Sequence, residues 1–174
     1  MRAFELIALA MLITSCGSLE APTREDLRSN LTSISAAFRL VSDVAGCPIV
    51  VTAEGTPPSS ATFIIRNRSE EPWQIMEIYL PWRGAVQLLA LRADGKVLKH
   101  RWPRPDGRYF REVGVEPGAS ISGTLDLRQV LPGLEATLKE TSVLLLWVFR
   151  PAGLTPECAP SGVVELTGGE RTAA

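Results

Sequence analysis

From Cys47 onward, residues that bend a polypeptide recur at intervals of about ten, and that punctuation leaves few folds open. Thr56-Pro57-Pro58-Ser59-Ser60, Asn67-Arg68-Ser69-Glu70-Glu71-Pro72, Asp94-Gly95, Pro105-Asp106-Gly107 and Glu116-Pro117-Gly118-Ala119 are the turn clusters. Each combines proline's fixed φ, glycine's access to positive φ, or an Asx side chain that mimics a turn. Between them lie short runs rich in branched and aromatic residues, at 48–53, 61–66, 73–80, 85–92, 97–102, 109–115, 143–149 and 162–166. Runs of this length and composition are strands. Asp94-Gly95 is a hairpin turn, and Glu116-Pro117-Gly118-Ala119 suits a type II turn, with glycine at the position that needs positive φ.

One segment alternates cleanly. Ile121, Gly123, Leu125 and Leu127 face one way, while Ser122, Thr124 and Asp126 face the other, as in a half-buried antiparallel strand. The run 143–149 is apolar on both faces and reads as a central strand. Pro132-Gly133 followed by Leu134 and Leu138 at helical spacing predicts a turn and a short helix near 128–140. Without alternating helices to carry parallel crossovers, the expected class is all-β, an antiparallel β-sandwich.

The amino terminus follows another logic. Arg2 precedes an unbroken apolar run, Leu6-Ile7-Ala8-Leu9-Ala10-Met11-Leu12-Ile13, too short to span about 30 Å of hydrocarbon but suited to a signal peptide. The run ends in Ile13-Thr14-Ser15-Cys16, which resembles the bacterial lipobox. That resemblance implies cleavage before Cys16, diacylglycerol on its sulfur, and anchoring by several acyl chains. Gly17 stands where an aspartate is the usual inner-membrane retention signal in enterobacteria, so the outer membrane, facing the periplasm, is expected. Three cysteines leave one over in an oxidising compartment. With Cys16 taken by lipid, Cys47 and Cys158 remain as a pair where disulfides persist; two unconnected buried thiols are the alternative. A bridge over about a hundred residues contributes roughly 4.7 kcal/mol in the chain-entropy account.

Gly17 to Pro22 reads as a tether. Thr23-Arg24-Glu25-Asp26 then offers a capped helix start near 24–34, with Leu27, Leu31, Ile34 and Phe38 continuing at helical spacing; residues 35–41 read equally as a first strand. The expected organisation is therefore a signal peptide at 1–15, a lipidated tether and short helix at 16–34, a sandwich domain at 35–168 and a polar tail at 169–174. The ordered pattern of Asn67 to Pro72, Asp94-Gly95, Val115 to Ser120 and Leu125-Asp126-Leu127 is similar to the immunoglobulin-like accessory sandwich of secreted deuterolysin-type metalloproteases. It implies an immunoglobulin-like fold over about residues 60–150 and carries no catalytic function. Asn30-Leu31-Thr32 and Asn67-Arg68-Ser69 match glycosylation sequons, and the lipoprotein reading makes them chance matches.

The chemistry is constrained by what is missing. Lys+Arg 18 against Asp+Glu 19 gives a formal charge of -1, which does not suggest a nucleic-acid binder. His100 is the single histidine, so a paired-histidine metalloprotease motif and a multi-histidine metal site are excluded. No serine lies in a nucleophile elbow, and Glu25-Asp26 and Glu70-Glu71 are adjacent acids that do not converge on one bond. No enzyme activity, metal or cofactor is expected. The candidate binding stretch runs from Lys99 to Arg111, where Arg101, Trp102, Arg104, Arg108, Tyr109 and Arg111 interleave arginine forks with aromatic faces. Such forks bind carboxylate and phosphate; solvated arginines on a hairpin, with Trp102 and Phe110 in the core, are the alternative. The expected function is a non-enzymatic envelope lipoprotein that binds a protein or an anionic envelope polymer. A carbohydrate or small-ligand binder, or a protease-inhibitor module, is the second reading.

Overall fold

The computed structural model describes residues 46–56, 59–101, 111–151, 154–155 and 158–168. The expected signal peptide, Cys16, the helix near 24–34, the alternative strand at 35–41 and the tail at 169–174 lie outside them.

Nine strands form three antiparallel sheets among the described residues. β1 (Ile49–Thr56), β2 (Ser60–Asn67) and β7 (Ser120–Asp126) make one, in the order β1-β2-β7. β3 (Trp73–Met76) and β6 (Glu112–Val115) pair as a two-stranded ribbon. β5 (Val97–Leu98), β4 (Val86–Arg92), β8 (Val143–Phe149) and β9 (Ser161–Leu166) make the third, in the order β5-β4-β8-β9. The class is the all-β, sandwich-like fold that the turn punctuation predicts. Two short helices, α1 (Leu127–Val130) and α2 (Leu134–Glu140), occupy the stretch expected near 128–140. Asp126 caps α1 by accepting the Arg128 N–H at 3.0 Å, and Leu134 and Leu138 are both buried.

One core fills the space between the sheets, and it is built by period-two alternation. Ala61, Phe63 and Ile65 of β2 point inward with Val86, Leu88 and Ala90 of β4 and Val143, Leu145, Trp147 and Phe149 of β8. At its centre Phe63 meets Trp147 edge to face, with centroids 5.5 Å apart and ring planes at 84°. That geometry sets a positive ring edge against a negative face and is worth about 0.5–1.5 kcal/mol beyond area burial. Glycine makes room for the indoles. A Cβ at Gly162, the cross-strand partner of Trp147, would stand 2.7 Å from its Cζ2. Gly123, the partner of Phe63, carries the ring of Trp82 over its open face.

The chain ends are tied together. Cys47, two residues before β1, is bonded to Cys158, three residues before β9, with Cα atoms 5.3 Å apart over a sequence separation of 111.

Three expected strands differ from those observed. The run 73–80 leaves the sheet after Met76 and passes through two 3-10 turns, Glu77–Tyr79 and Pro81–Arg83. Glu77 takes the inward position after Ile75, where its carboxylate needs cations rather than core, and Pro81 has no N–H to continue a ladder. In the described part of the run 97–102, residues 97–101, the strand is Val97–Leu98, and the Arg101 N–H donates to the Val130 carbonyl at 2.7 Å. In the run 109–115 the described strand begins at Glu112. The described flanks of the basic segment are not paired with each other. They pair elsewhere, β5 with β4 and β6 with β3, so the segment crosses between sheets.

The close seat of Trp82 on Gly123 predicts an asymmetric mutational response. Gly123→Ala is expected to destabilise by about 1–3 kcal/mol through overpacking, while Thr124→Ala on the exposed face changes stability by less than about 0.5 kcal/mol. Urea unfolding midpoints at constant slope provide the measurement; equal responses would contradict this packing.

Candidate functional site at the ends of the basic segment

The segment from Lys99 to Arg111 enters from one sheet and leaves into another, and its two ends are chemically distinct. At the leaving end, Arg111 precedes β6, and its carbonyl accepts the Glu77 N–H at 2.8 Å, extending the β3–β6 ladder by one rung. This rung places the Arg111 guanidinium at the Glu77 side chain, where Nε donates to Oε2 at 2.5 Å. The other oxygen, Oε1, accepts from Nη2 of Arg83 at 2.5 Å. Arg83 closes the turn Pro81–Arg83, and Gly84, with φ 89, bends the chain away beyond it. The Glu77 side chain is only 7% exposed, whereas that of Arg111 is 77% exposed.

The Arg83 hydrogen bond is the largest influence on Glu77; it outweighs the desolvation that would raise the pKa, and Arg111 adds to it, so the carboxyl sits below its ordinary value. One carboxylate lies between two guanidiniums, and the more exposed of these is Arg111. At the entering end, Lys99, His100 and Arg101 are all exposed. Arg101 is fixed by its backbone to α1. Both ends thus present cationic groups to solvent, from two different sheets.

Of the residues expected to bind, Arg101 and Arg111 are placed as described. Trp102, Arg104, Arg108 and Tyr109 lie outside the described residues. Glu77 and Arg83 were not expected, although the signal was readable: in Ile75-Met76-Glu77 an acid falls where alternation calls for an apolar side chain. Cys47 and Cys158 are joined to each other. Among the described residues no group of three or more His, Cys, Asp or Glu is arranged to hold a metal ion.

Asn67 needs separate notice because it sits in a sequon. Its side chain is buried, with Nδ2 donating to the carbonyls of Glu71 at 2.7 Å and Val115 at 2.8 Å. Its Oδ1 accepts from the Ser69 N–H at 2.9 Å and the Ser69 hydroxyl at 2.7 Å. A fully committed buried amide binds two turns together and leaves no nitrogen for a glycan.

No protein-family model matches the chain, and no curated protein matches it. Among solved structures, the chain is similar to a crystal structure of a protein from Archaeoglobus fulgidus, at 11% identity and a TM-score of 0.31, over 67% of this chain and 89% of that one. A likeness at that level carries no functional argument.

The Glu77 cluster makes a pH prediction. Its folded pKa lies below the ordinary value of 4.5, so its stabilising contribution is complete above that value and is lost as pH falls through the depressed folded pKa. Thermal midpoints measured downward from pH 5 are expected to fall more steeply in the unaltered protein than in Glu77→Gln, which has no proton to take up there. Parallel curves would show that the carboxylate contributes no such linkage.

Proposed function

We propose that this chain is a lipid-anchored lipoprotein of the bacterial envelope, held by Cys16 in the outer membrane and facing the periplasm, whose sandwich is a binding or assembly module for a protein or anionic polymer. The observation that carries the reading is the pairing of Cys47 with Cys158. Of three cysteines, the one left unpaired is the one that follows Ile13-Thr14-Ser15. A disulfide of long span belongs to a chain exported to an oxidising compartment, and a lone extra cysteine there is accounted for by lipid.

The contact surface in this reading is the cationic pair of ends described above. Lys99 and Arg101 are exposed, and Arg111 keeps an open face beside a carboxylate that already serves two guanidiniums. Arginine forks there suit carboxylate or phosphate groups. Surface charges of this kind govern encounter and orientation more than fold stability.

Two measurements test the two halves separately. A Cys16→Ser chain is expected to leave the membrane fraction and to lose incorporation of labelled palmitate; retention of both would refute the anchor. In envelope cross-linking, Lys99→Ala/Arg101→Ala is expected to reduce co-purified partner in a salt-dependent manner, with the thermal midpoint nearly unchanged. Full recovery of the same partners by the double variant at low and high salt would refute the surface.

A further inference from the structure

β7 turns half of its backbone hydrogen-bonding groups away from its sheet. At one end of the β2–β7 ladder the Asn67 N–H donates to the Ala119 carbonyl at 3.0 Å, and at the other the Leu127 N–H donates to the Ser59 carbonyl at 2.9 Å. Between these two bonds the register runs through Ile65–Ile121, Phe63–Gly123 and Ala61–Leu125. Opposed residues of an antiparallel pair alternate between bonded and unbonded, so Ile121, Gly123 and Leu125 are the ones that bond β2. Ser120, Ser122 and Thr124 therefore point their N–H and C=O groups to the far edge. Among the described residues no strand pairs with that edge, and all three residues are exposed.

The opposite edge of the same sheet is handled differently, because β1 lies against β9 where Gly55 meets Val164 and Leu166. β7 also lacks the devices that usually blunt an edge. Ser120–Asp126 contains no proline and no lysine, and its one charged side chain, Asp126, is held by Arg128 at 2.7 Å. The turn Pro81–Arg83 approaches β7 from the core side, where Trp82 lies on Gly123, and among the described residues it makes no backbone hydrogen bond to the strand. An edge left in this condition is a template for another strand.

We infer that β7 is a dimer edge: it pairs antiparallel with β7 of a second copy of this chain, about a two-fold axis through Ser122. This register sets Ser122 opposite its own counterpart and Ser120 opposite Thr124, and it joins two sheets of the order β1-β2-β7 into one continuous sheet. The three residues with outward N–H and C=O groups then meet one another, and each opposed pair exchanges two hydrogen bonds. The contact is isologous, the form that closes as a pair rather than growing into a filament.

Side chains on both faces select a second copy over an unrelated peptide. On the outer face a chain of hydroxyls already crosses the sheet, from Thr56 to Thr62 at 3.0 Å and from Thr62 to Thr124 at 3.1 Å. Ser120 of the second copy falls opposite Thr124 and continues that chain as a cross-strand hydroxyl pair. On the core side, Ile121 falls opposite Gly123 of the second copy, beside the indole that lies on that glycine. Ile121 and Trp82 are both half-buried and packed on the core, and the pairing covers more of each. No charged side chain lies between Ser120 and Leu125, so two copies bring no like charges together across the axis.

The test uses the full-length chain carrying Cys16→Ser, in which an introduced cysteine is the one unpaired thiol, since Cys47 and Cys158 are bonded. Opposed residues in a bonded antiparallel pair have Cα atoms about 5.5 Å apart, inside the range of about 4.4–6.8 Å that a disulfide spans. Under mild oxidation Ser122→Cys is expected to form a symmetric disulfide between two copies several-fold faster than Thr52→Cys, which is exposed in the same row of the same face, two strands away. Equal rates from the two positions would overturn the inference. Charge placed on the axis gives a second readout. Ser122→Asp alone and Ser122→Lys alone set like charges opposite each other and are expected to sediment as monomers at concentrations where the chain with Ser122 sediments as a dimer. An equimolar mixture of the two is expected to recover the dimer, because opposite charges then face across the axis. A mixture that stays monomeric, or a chain with Ser122 that is monomeric at every concentration, would overturn it equally.

Discussion

The contact between Phe63 and Trp147 is the constraint around which the sandwich is arranged. Each ring comes from an inner strand of its sheet, and the two meet edge to face across the core. The neighbours on either side answer to it. Gly123 stands opposite Phe63 and Gly162 opposite Trp147, positions where a side chain would collide with an indole. Glycine weakens a strand on its own, so its presence at both sites is the complement of rings that need the space. Trp82 then covers Gly123, and through it the 3-10 turn Pro81–Arg83 is seated on the sheet. That seat carries Arg83 to Glu77, so the electrostatics of the candidate site descend from core packing.

Turn chemistry and alternation made most of this fold readable. Asp94-Gly95 closes the β4–β5 hairpin, with the Asp94 side chain accepting the Lys96 N–H at 3.1 Å. Gly118 takes φ 74 within the turn whose Ala119 N–H returns to Glu116 at 2.9 Å. The strands 61–66, 85–92 and 143–149 fall where hydrophobic runs place them, because burial on one or two faces is written in the residues themselves. What escaped was pairing. A basic stretch with a turn at its middle looks locally like a hairpin whichever strands its ends join. Only the whole sandwich decides that β5 belongs with β4 and β6 with β3. The candidate site was half legible for the same reason. Arg101 and Arg111 were visible as charges, but Glu77 and Arg83 lie far from them in sequence and meet only after the sheets assemble.

The buried carboxylate changes how the arginines act. A cationic surface without a counter-charge would repel itself, whereas Glu77 fixes two guanidiniums while neutralising one. Charge-assisted hydrogen bonds orient Arg83 and Arg111, so the proposed contact with an anion would cost less side-chain entropy. The arrangement trades total charge for fixed guanidinium positions.

Where the chain is tied also matters to how it bears a load. A pull exerted through the residues before Cys47 reaches the domain at a cysteine bonded to Cys158. The force is therefore divided between β1 and β9, which belong to different sheets and lie against each other where Gly55 meets Val164 and Leu166. Peeling β1 from β2 would break hydrogen bonds one rung at a time, the easiest way to unravel an edge strand. With the disulfide in place the same pull loads two edges at once. A domain loaded through the residues before Cys47 is thus gripped across its two larger sheets, and a bond elsewhere in the sequence span of 111 would not provide that grip.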